Sequence, residues 1–349
     1  MTGLLYDDLF LEHGHLSHPE NRTRLEAAVA HLQANAYWDL VTHLPARAAT
    51  LEELLWQHDE DYLEEIEAVS RAGGDLLDHD TEATARTYEV AAAAAGGCIG
   101  ATEAVLLGEV PNAYCLVRPP GHHALRHRAM GFCIFNNVAL AAEAALRRGH
   151  RDQVAVVDLD LHHGNGTQEA FYHRREVLYV SLHQSPLYPG TGTVDEVGTE
   201  DGAGMTVNIP LPGGAEDGHY LQAFDELILP LIARYEAEMI FVSAGFDTHF
   251  RERIYRSQMC LTAQAYYEMT RRLVELADER CDGRVVVVLE GGYDAEAMGR
   301  GSEAVLRALR GDEAPEPEET DYVIHPEATQ WVEQCLQYAI ETHRERLRL

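Results

Sequence analysis

Six short runs of apolar and β-branched residues set the strongest limit on the fold: Ala113–Val117, Val154–Val157, Val177–Leu182, Met205–Ile209, Met239–Ser243 and Val285–Leu289. In most of them apolar residues follow one another instead of alternating, as strands covered on both faces require. Helical patterns lie between, among them Asn136–Arg148, Tyr220–Tyr235 and Thr262–Glu279, with Thr262 placed to cap the last. Strand alternating with helix predicts an α/β chain on a central, mainly parallel β-sheet with helices on both faces. No linker rich in Gly, Ser or Pro divides the first 310 residues, so residues 1–349 read as a single domain. Residues 311–322 (GDEAPEPEETDY) read as a solvated acidic connector. Residues 323–349 read as a terminal helix docked on the domain, with Trp331, Leu336, Ile340 and Leu347 near one face. No internal repeat marks a solenoid.

Charge narrows the partners. With 27 basic and 58 acidic side chains the formal charge is −31, which argues against nucleic-acid binding through phosphates, since that needs a basic face. All 27 basic residues are Arg and none is Lys, so no side-chain amine is available for acylation or Schiff-base chemistry. Cys98, Cys115, Cys133, Cys260, Cys281 and Cys335 stand singly in a chain too long to need disulfide staples, and read as reduced thiols. The start, MTGLLYDDLF, has acids where a signal peptide carries bases, and the most apolar window, 89–108, contains Glu103. The expectation is a cytoplasmic protein with no membrane partner; a homo-oligomer is neither required nor excluded.

The chemistry concentrates in Val154–Gly166, VAVVDLDLHHGNG. In an extended chain Asp158, Asp160 and His162 project on one side and Leu159, Leu161 and His163 on the other. Such a cluster falls at the C-terminal end of a parallel strand, where open α/β sheets place ligands, and is costly to bury without a cation. In SAGFDTH, Asp247 ends another apolar run. Asp160, His162 and Asp247 then form an open three-ligand set suited to catalytic zinc. Two carboxylates already cancel a dication's charge, so a separate base is needed. The pair His122 and His123, after a stiff Pro119–Pro120 turn, supplies it. A His122 bonded to Asp158 favours its proton, whereas a His123 facing the neutral amide of Asn165 stays uncharged and accepts one. Tyr293, after Gly291 and Gly292, either donates to an oxyanion or packs. Phe132, beside Gly131, and Tyr188 either wall a narrow channel or anchor their loops.

Five segments in order, PPGHHA, GFCIFNN, VDLDLHHGNGTQ, SAGFD and LEGGY, resemble the histone deacetylase family, of the arginase/deacetylase fold. The resemblance runs from residue 13 to about Arg310, and the HGNGTQ at 163–168 is similar to the class II branch, where Asn replaces the Asp usual in class I. It implies one catalytic zinc on Asp160, His162 and Asp247, His123 as general base, His122 as the electrostatic or acid partner, and Tyr293 polarising the scissile carbonyl. It implies one or two structural potassium ions, one on Asp158, Ser181 and Leu182 with the backbone of Asp160 and His162. Gly131, Phe132 and Tyr188 match the substrate tunnel. The implied activity is zinc-dependent removal of acetyl or other acyl groups from acyl-lysine side chains. An acetylated polyamine as substrate, and a catalytically silent acyl-lysine binder, remain as alternatives; an arginase-like two-metal site lacks its further carboxylate. Acidic rim residues such as Asp80 or Glu252 suit either cationic substrate. The pattern departs from the family in THFRERIYRSQMCLT, which carries Arg251, Arg253 and Arg256 where the family borders its tunnel mouth.

Overall fold

The computed structural model describes residues 1–320 and 322–347, so Asp321 of the expected connector and Arg348 and Leu349 of the expected terminal helix lie outside the described residues. Eight strands form one sheet: β1 (Gly3–Leu5), β2 (Thr42–Leu44), β3 (Ala113–Cys115), β4 (Val154–Asp158), β5 (Val177–Gln184), β6 (Thr206–Leu211), β7 (Ile240–Ala244) and β8 (Val285–Leu289). Their order is β2-β1-β3-β8-β7-β4-β5-β6 and every pairing is parallel. All six sequence-predicted strands are present within a residue or two of their ends. Their continuous apolar character reflects burial on both faces: β4, β5, β7 and β8 are buried at every position.

Two strands escaped the sequence. β1 is the tripeptide GLL and β2 the tripeptide THL. Runs this short carry no periodicity, and only pairing with β3 through β1 makes them strands. The predicted helix Tyr220–Tyr235 begins earlier, at Asp217, and passes through a π turn at Phe224–Ile228 before Leu229–Tyr235. Pro230 in the first turn of the last piece lacks the N–H that a continuous α-helix would use, and the wider turn absorbs the loss. Thr262 caps Ala263–Arg280 through a bond from the Gln264 N–H, as expected.

The helix Thr87–Leu106 has the length and hydropathy of a membrane span, yet 78% of that window is buried inside the protein, against β1, β3 and β8. The terminal helix Pro326–Leu347 docks on β6 by Val332, Leu336, Ala339, Ile340 and His343. Trp331 is 56% exposed, so it does not share that face with Leu336 and Ile340 as predicted. At 100° per residue the true stripe starts one position later, at Val332. The connector is less solvated than its charge suggests. Pro315 is buried, and Glu318 accepts from the Ala263 N–H (2.7 Å) and meets His249 Nε2 at 3.0 Å.

Candidate active site

Four adjacent strands, β3, β8, β7 and β4, deliver the functional residues from their C-terminal ends. After β4 the chain crosses to β5 on one side, and after β7 to β8 on the other. Connections diverging from neighbouring parallel strands leave a crevice at the sheet edge. Into it come His122 and His123 following β3, Asp160 and His162 following β4, Asp247 following β7 and Tyr293 following β8.

Asp160, His162 and Asp247 are buried with ligand atoms all within 4.8 Å of one another. β4 ends at Asp158, so Asp160 and His162 meet by the turn that follows and not by continued strand alternation. His162 Nδ1 lies 3.2 Å from both Asp160 Oδ1 and Asp247 Oδ2. Asp247 Oδ1 accepts from the Leu161 N–H at 3.0 Å, while Oδ2 is buried and, beyond the approach of His162 Nδ1, has no donor among the described residues. Burial disfavours a charge on His162, but hydrogen bonds and attraction from the two carboxylates outweigh it and raise its pKa to about 9. The spot strongly favours positive charge. Burial and repulsion from Asp160 push Asp247 up to about 6. Two carboxylates and an imidazole facing one point, with an orphaned carboxylate oxygen, fit a divalent cation. Gly291 is part of this arrangement: a Cβ there would stand 2.5 Å from Asp247 Oδ2 and 2.6 Å from Asp160 Oδ2.

The histidine pair divides as its neighbours dictate. His122 Nδ1 is 3.1 Å from Asp158 Oδ2. Burial lowers the pKa of His122, but Asp158 and Asp160 overcompensate and hold it up at about 10. His123 Nδ1 lies 2.7 Å from Asn165 Oδ1; a carbonyl oxygen only accepts, so Nδ1 carries the hydrogen and Nε2 is the basic atom. Burial, then repulsion from His122 and His162, drives the pKa of His123 well below its ordinary value. It is an uncharged base.

Gly131, Phe132 and Tyr188 line the same cavity of about 340 Å³, together with His122, His123, Asp160, His162 and Tyr293. The Tyr188 ring meets His123 edge-on at 5.2 Å and Phe132 meets Tyr293 at 5.9 Å. Gly131 has φ +55°, and a Cβ would stand 2.3 Å from the His123 ring, so the wall closes only around glycine. Burial keeps the Tyr293 phenol protonated, despite the Arg24 guanidinium 4.8 Å over its ring. Asp158 and Ser181 occupy facing register positions on β4 and β5, with Leu182 fully buried next along. Asp158 already accepts from Tyr179 Oη at 3.1 Å and the Asp160 N–H at 3.2 Å.

Asp80 lines the cavity mouth with His79, as the rim expectation held. Glu252 does not: it is 4% exposed and accepts from the Tyr293 and Asp294 N–H groups. No residue of the loop 248–260 lines this cavity among the described residues. Sequence reasoning also passed over Glu290, whose Oε2 accepts from the Gly121 (2.7 Å) and His122 (3.1 Å) N–H groups and whose Oε1 accepts from Ser243 Oγ. Glu20, held between Arg118 and Arg24, was missed as well. Arg24 in turn donates from Nε to the Gly292 carbonyl at 2.6 Å and so supports the Tyr293 turn. Glu290 lies inside the LEGGY motif, but an acid within a motif does not announce whether it faces substrate or backbone.

A buried cation-seeking cluster beside an uncharged imidazole, at the foot of a walled cavity, is the kind of arrangement that metal-assisted hydrolysis uses. A histone deacetylase domain model matches residues 18–309. The chain is 41% identical over 315 residues to a probable deacetylase of Archaeoglobus fulgidus, covering 89% of this chain and 87% of that protein. It is 41% identical over 300 residues to a histone deacetylase-like amidohydrolase of Pseudomonas aeruginosa, covering 85% and 77%. The crystal structure of the HDA15 HD domain superposes with a TM-score of 0.89 at 32% identity, covering 99% of this chain and 96% of that one. The chain belongs to the histone deacetylase family and has the arginase/deacetylase fold.

Proposed function

We propose that this deacetylase-family hydrolase removes acetyl or other short acyl groups from acyl-lysine side chains, with zinc held by Asp160, His162 and Asp247. The observation that carries the reading is the pairing of an uncharged His123, bonded to Asn165, with a phenol and a cation-seeking cluster around one cavity. A divalent ion bound there supplies Lewis acidity, polarising the acyl carbonyl and lowering the pKa of water.

The chain's own residues do the rest. His123 Nε2 takes the proton as water attacks the acyl carbon. Tyr293 donates its hydroxyl hydrogen to the acyl oxygen as charge builds there. His123, now protonated beside a charged His122, is a strong enough acid to pass its proton to the departing amine. His122, with its pKa held at about 10, keeps its own proton and acts through charge. Phe132 and Tyr188 flank the substrate stem and exclude water. Potassium, on Asp158, Ser181 and Leu182 with the backbone of Asp160 and His162, would brace the β4–β5 edge.

Acetylated polyamines are the second reading, favoured by Asp80 at the mouth and the charge of −31. The six cysteines are all free, which supports a reducing, cytoplasmic setting. The deciding experiment measures acetate release from acetyl-lysine peptides, longer acyl-lysines and acetylated polyamines side by side. Faster turnover of acetyl-lysine is expected; faster polyamine turnover would reassign the substrate, and tight binding without acetate release would leave only a silent reader.

A further inference from the structure

The loop after β7 is where this chain departs from the family pattern, and Glu252 is the residue in it whose placement is least explained by surface chemistry. Its carboxylate is buried and meets four backbone N–H groups. Oε2 accepts from Tyr293 (2.7 Å) and Asp294 (3.0 Å); Oε1 accepts from Arg253 (2.8 Å) and Ile254 (3.0 Å). The neighbouring guanidiniums are engaged elsewhere: Arg251 pairs with Glu296, and Arg253 donates to the Phe250 and Glu252 carbonyls. Glu252 is not the cap of the helix Ala295–Arg310, because Asp294 already accepts from the Glu296 and Ala297 N–H groups. Its two bonds fix the residues just before that helix, one of which bears the phenol. Gly291 and Gly292 precede them, the latter at φ +112°, so the turn has little stiffness of its own. Arg24 also holds the turn, through the Gly292 carbonyl.

We propose that Glu252 is a positioning residue for Tyr293, joining the loop 248–260 to the Tyr293 turn so that the phenol stays aimed at the acyl oxygen. This rests on the reading of Tyr293 as the oxyanion donor. A charged hydrogen-bond acceptor with four donors is a strong fixed point, and an oxyanion donor loses most of its effect when displaced by about 1 Å.

The test uses the metal-loaded enzyme, with kcat, KM and metal content measured for Glu252→Gln, Glu252→Asp, Tyr293→Phe and the double variant Glu252→Gln/Tyr293→Phe. Gln keeps the shape but turns an amide NH₂ toward backbone N–H groups. Glu252→Gln should lower kcat by ~10-fold or more while KM moves less than about twofold, with Asp recovering part, since the loss falls on a donor worth ~10²-fold. In the Tyr293→Phe background the same change should cost less than about twofold, because the phenol it aims is gone. An equal loss in both backgrounds, or an unchanged kcat in Glu252→Gln alone, overturns the proposal. An unchanged kcat in Tyr293→Phe alone overturns instead the phenol's role, and this proposal with it. Should Glu252→Gln not fold, amide exchange in the unaltered protein decides: the Tyr293 and Asp294 N–H groups must be protected like those of β8, and solvent-rate exchange there refutes the bond.

Discussion

Replacing Asn165 by Asp tests the assignment of the base through its charge. His123 Nδ1 sits 2.7 Å from Asn165 Oδ1, so the new carboxylate would stand against the imidazole with almost no change of shape. Two unit charges about 4 Å apart at an effective dielectric of ~20 attract by about 4 kcal/mol, equivalent to ~3 pK units. Asn165 is only half-buried, so water screens part of this, and a rise of about 1–2 units is the expected outcome. The sign follows directly: attraction favours the protonated imidazole, which cannot accept the water's proton. The acid limb of kcat/KM, which reports the free enzyme's base, should therefore move up by about 1–2 pH units. At alkaline pH, where His123 is neutral in both proteins, the rates should converge. The assay is a pH profile of acetyl-lysine turnover for both proteins at matched metal content. An acid limb that stays in place while activity persists would mean that the proton goes to some other group.

Three further outcomes follow from the structure. Gly291→Ala should lower metal affinity by ~10–100-fold by displacing the Asp160 and Asp247 oxygens 2.6 and 2.5 Å from the added Cβ, read by competition with a chelator, while the melting temperature changes little. Glu20, fully buried, would have its pKa raised by burial, but Arg118 and Arg24 overcome this and depress it below the ordinary 4.5. Its stabilisation is therefore complete above the unfolded value and is lost as pH falls through the depressed folded value. Glu20→Gln should cost about 3–5 kcal/mol in denaturant unfolding at neutral pH, a gap that narrows in acid. With a charge of −31, the melting temperature should rise between low salt and ~1 M salt, where the Debye length falls to about 3 Å; a fall would show that surface ion pairs outweigh self-repulsion.

What the sequence disclosed depended on the range of the signal. The six apolar runs named their strands because burial on both faces leaves few polar residues in them, as in VVVVL at Val285–Leu289. β1 and β2 stayed hidden because three residues each are made strands by distant partners alone. Asp160, His162 and Asp247 could be paired from sequence since they follow the C-terminal ends of two neighbouring strands of one parallel sheet, β4 and β7, which brings the three to a common edge. The histidine pair was legible as a conditional: the residue types named the two outcomes, and the 2.7 Å contact to Asn165 selected one. Side-chain direction in irregular segments was not legible. Glu252 looked like rim acid and proved to hold backbone, and the Glu20–Arg24–Arg118 cluster joins residues far apart in sequence. Trp331 missed its expected face by a single position, an angle that only the docked helix reveals.

The most direct test is the metal content of the purified protein alongside its deacetylase activity, for the unaltered chain and for Asp247→Ala. One divalent ion per chain is expected, with activity lost on chelation and restored by zinc, and both ion and activity absent from Asp247→Ala. Full acetate release by protein stripped of metal, or a tightly held ion in Asp247→Ala, would contradict the Asp160, His162 and Asp247 centre.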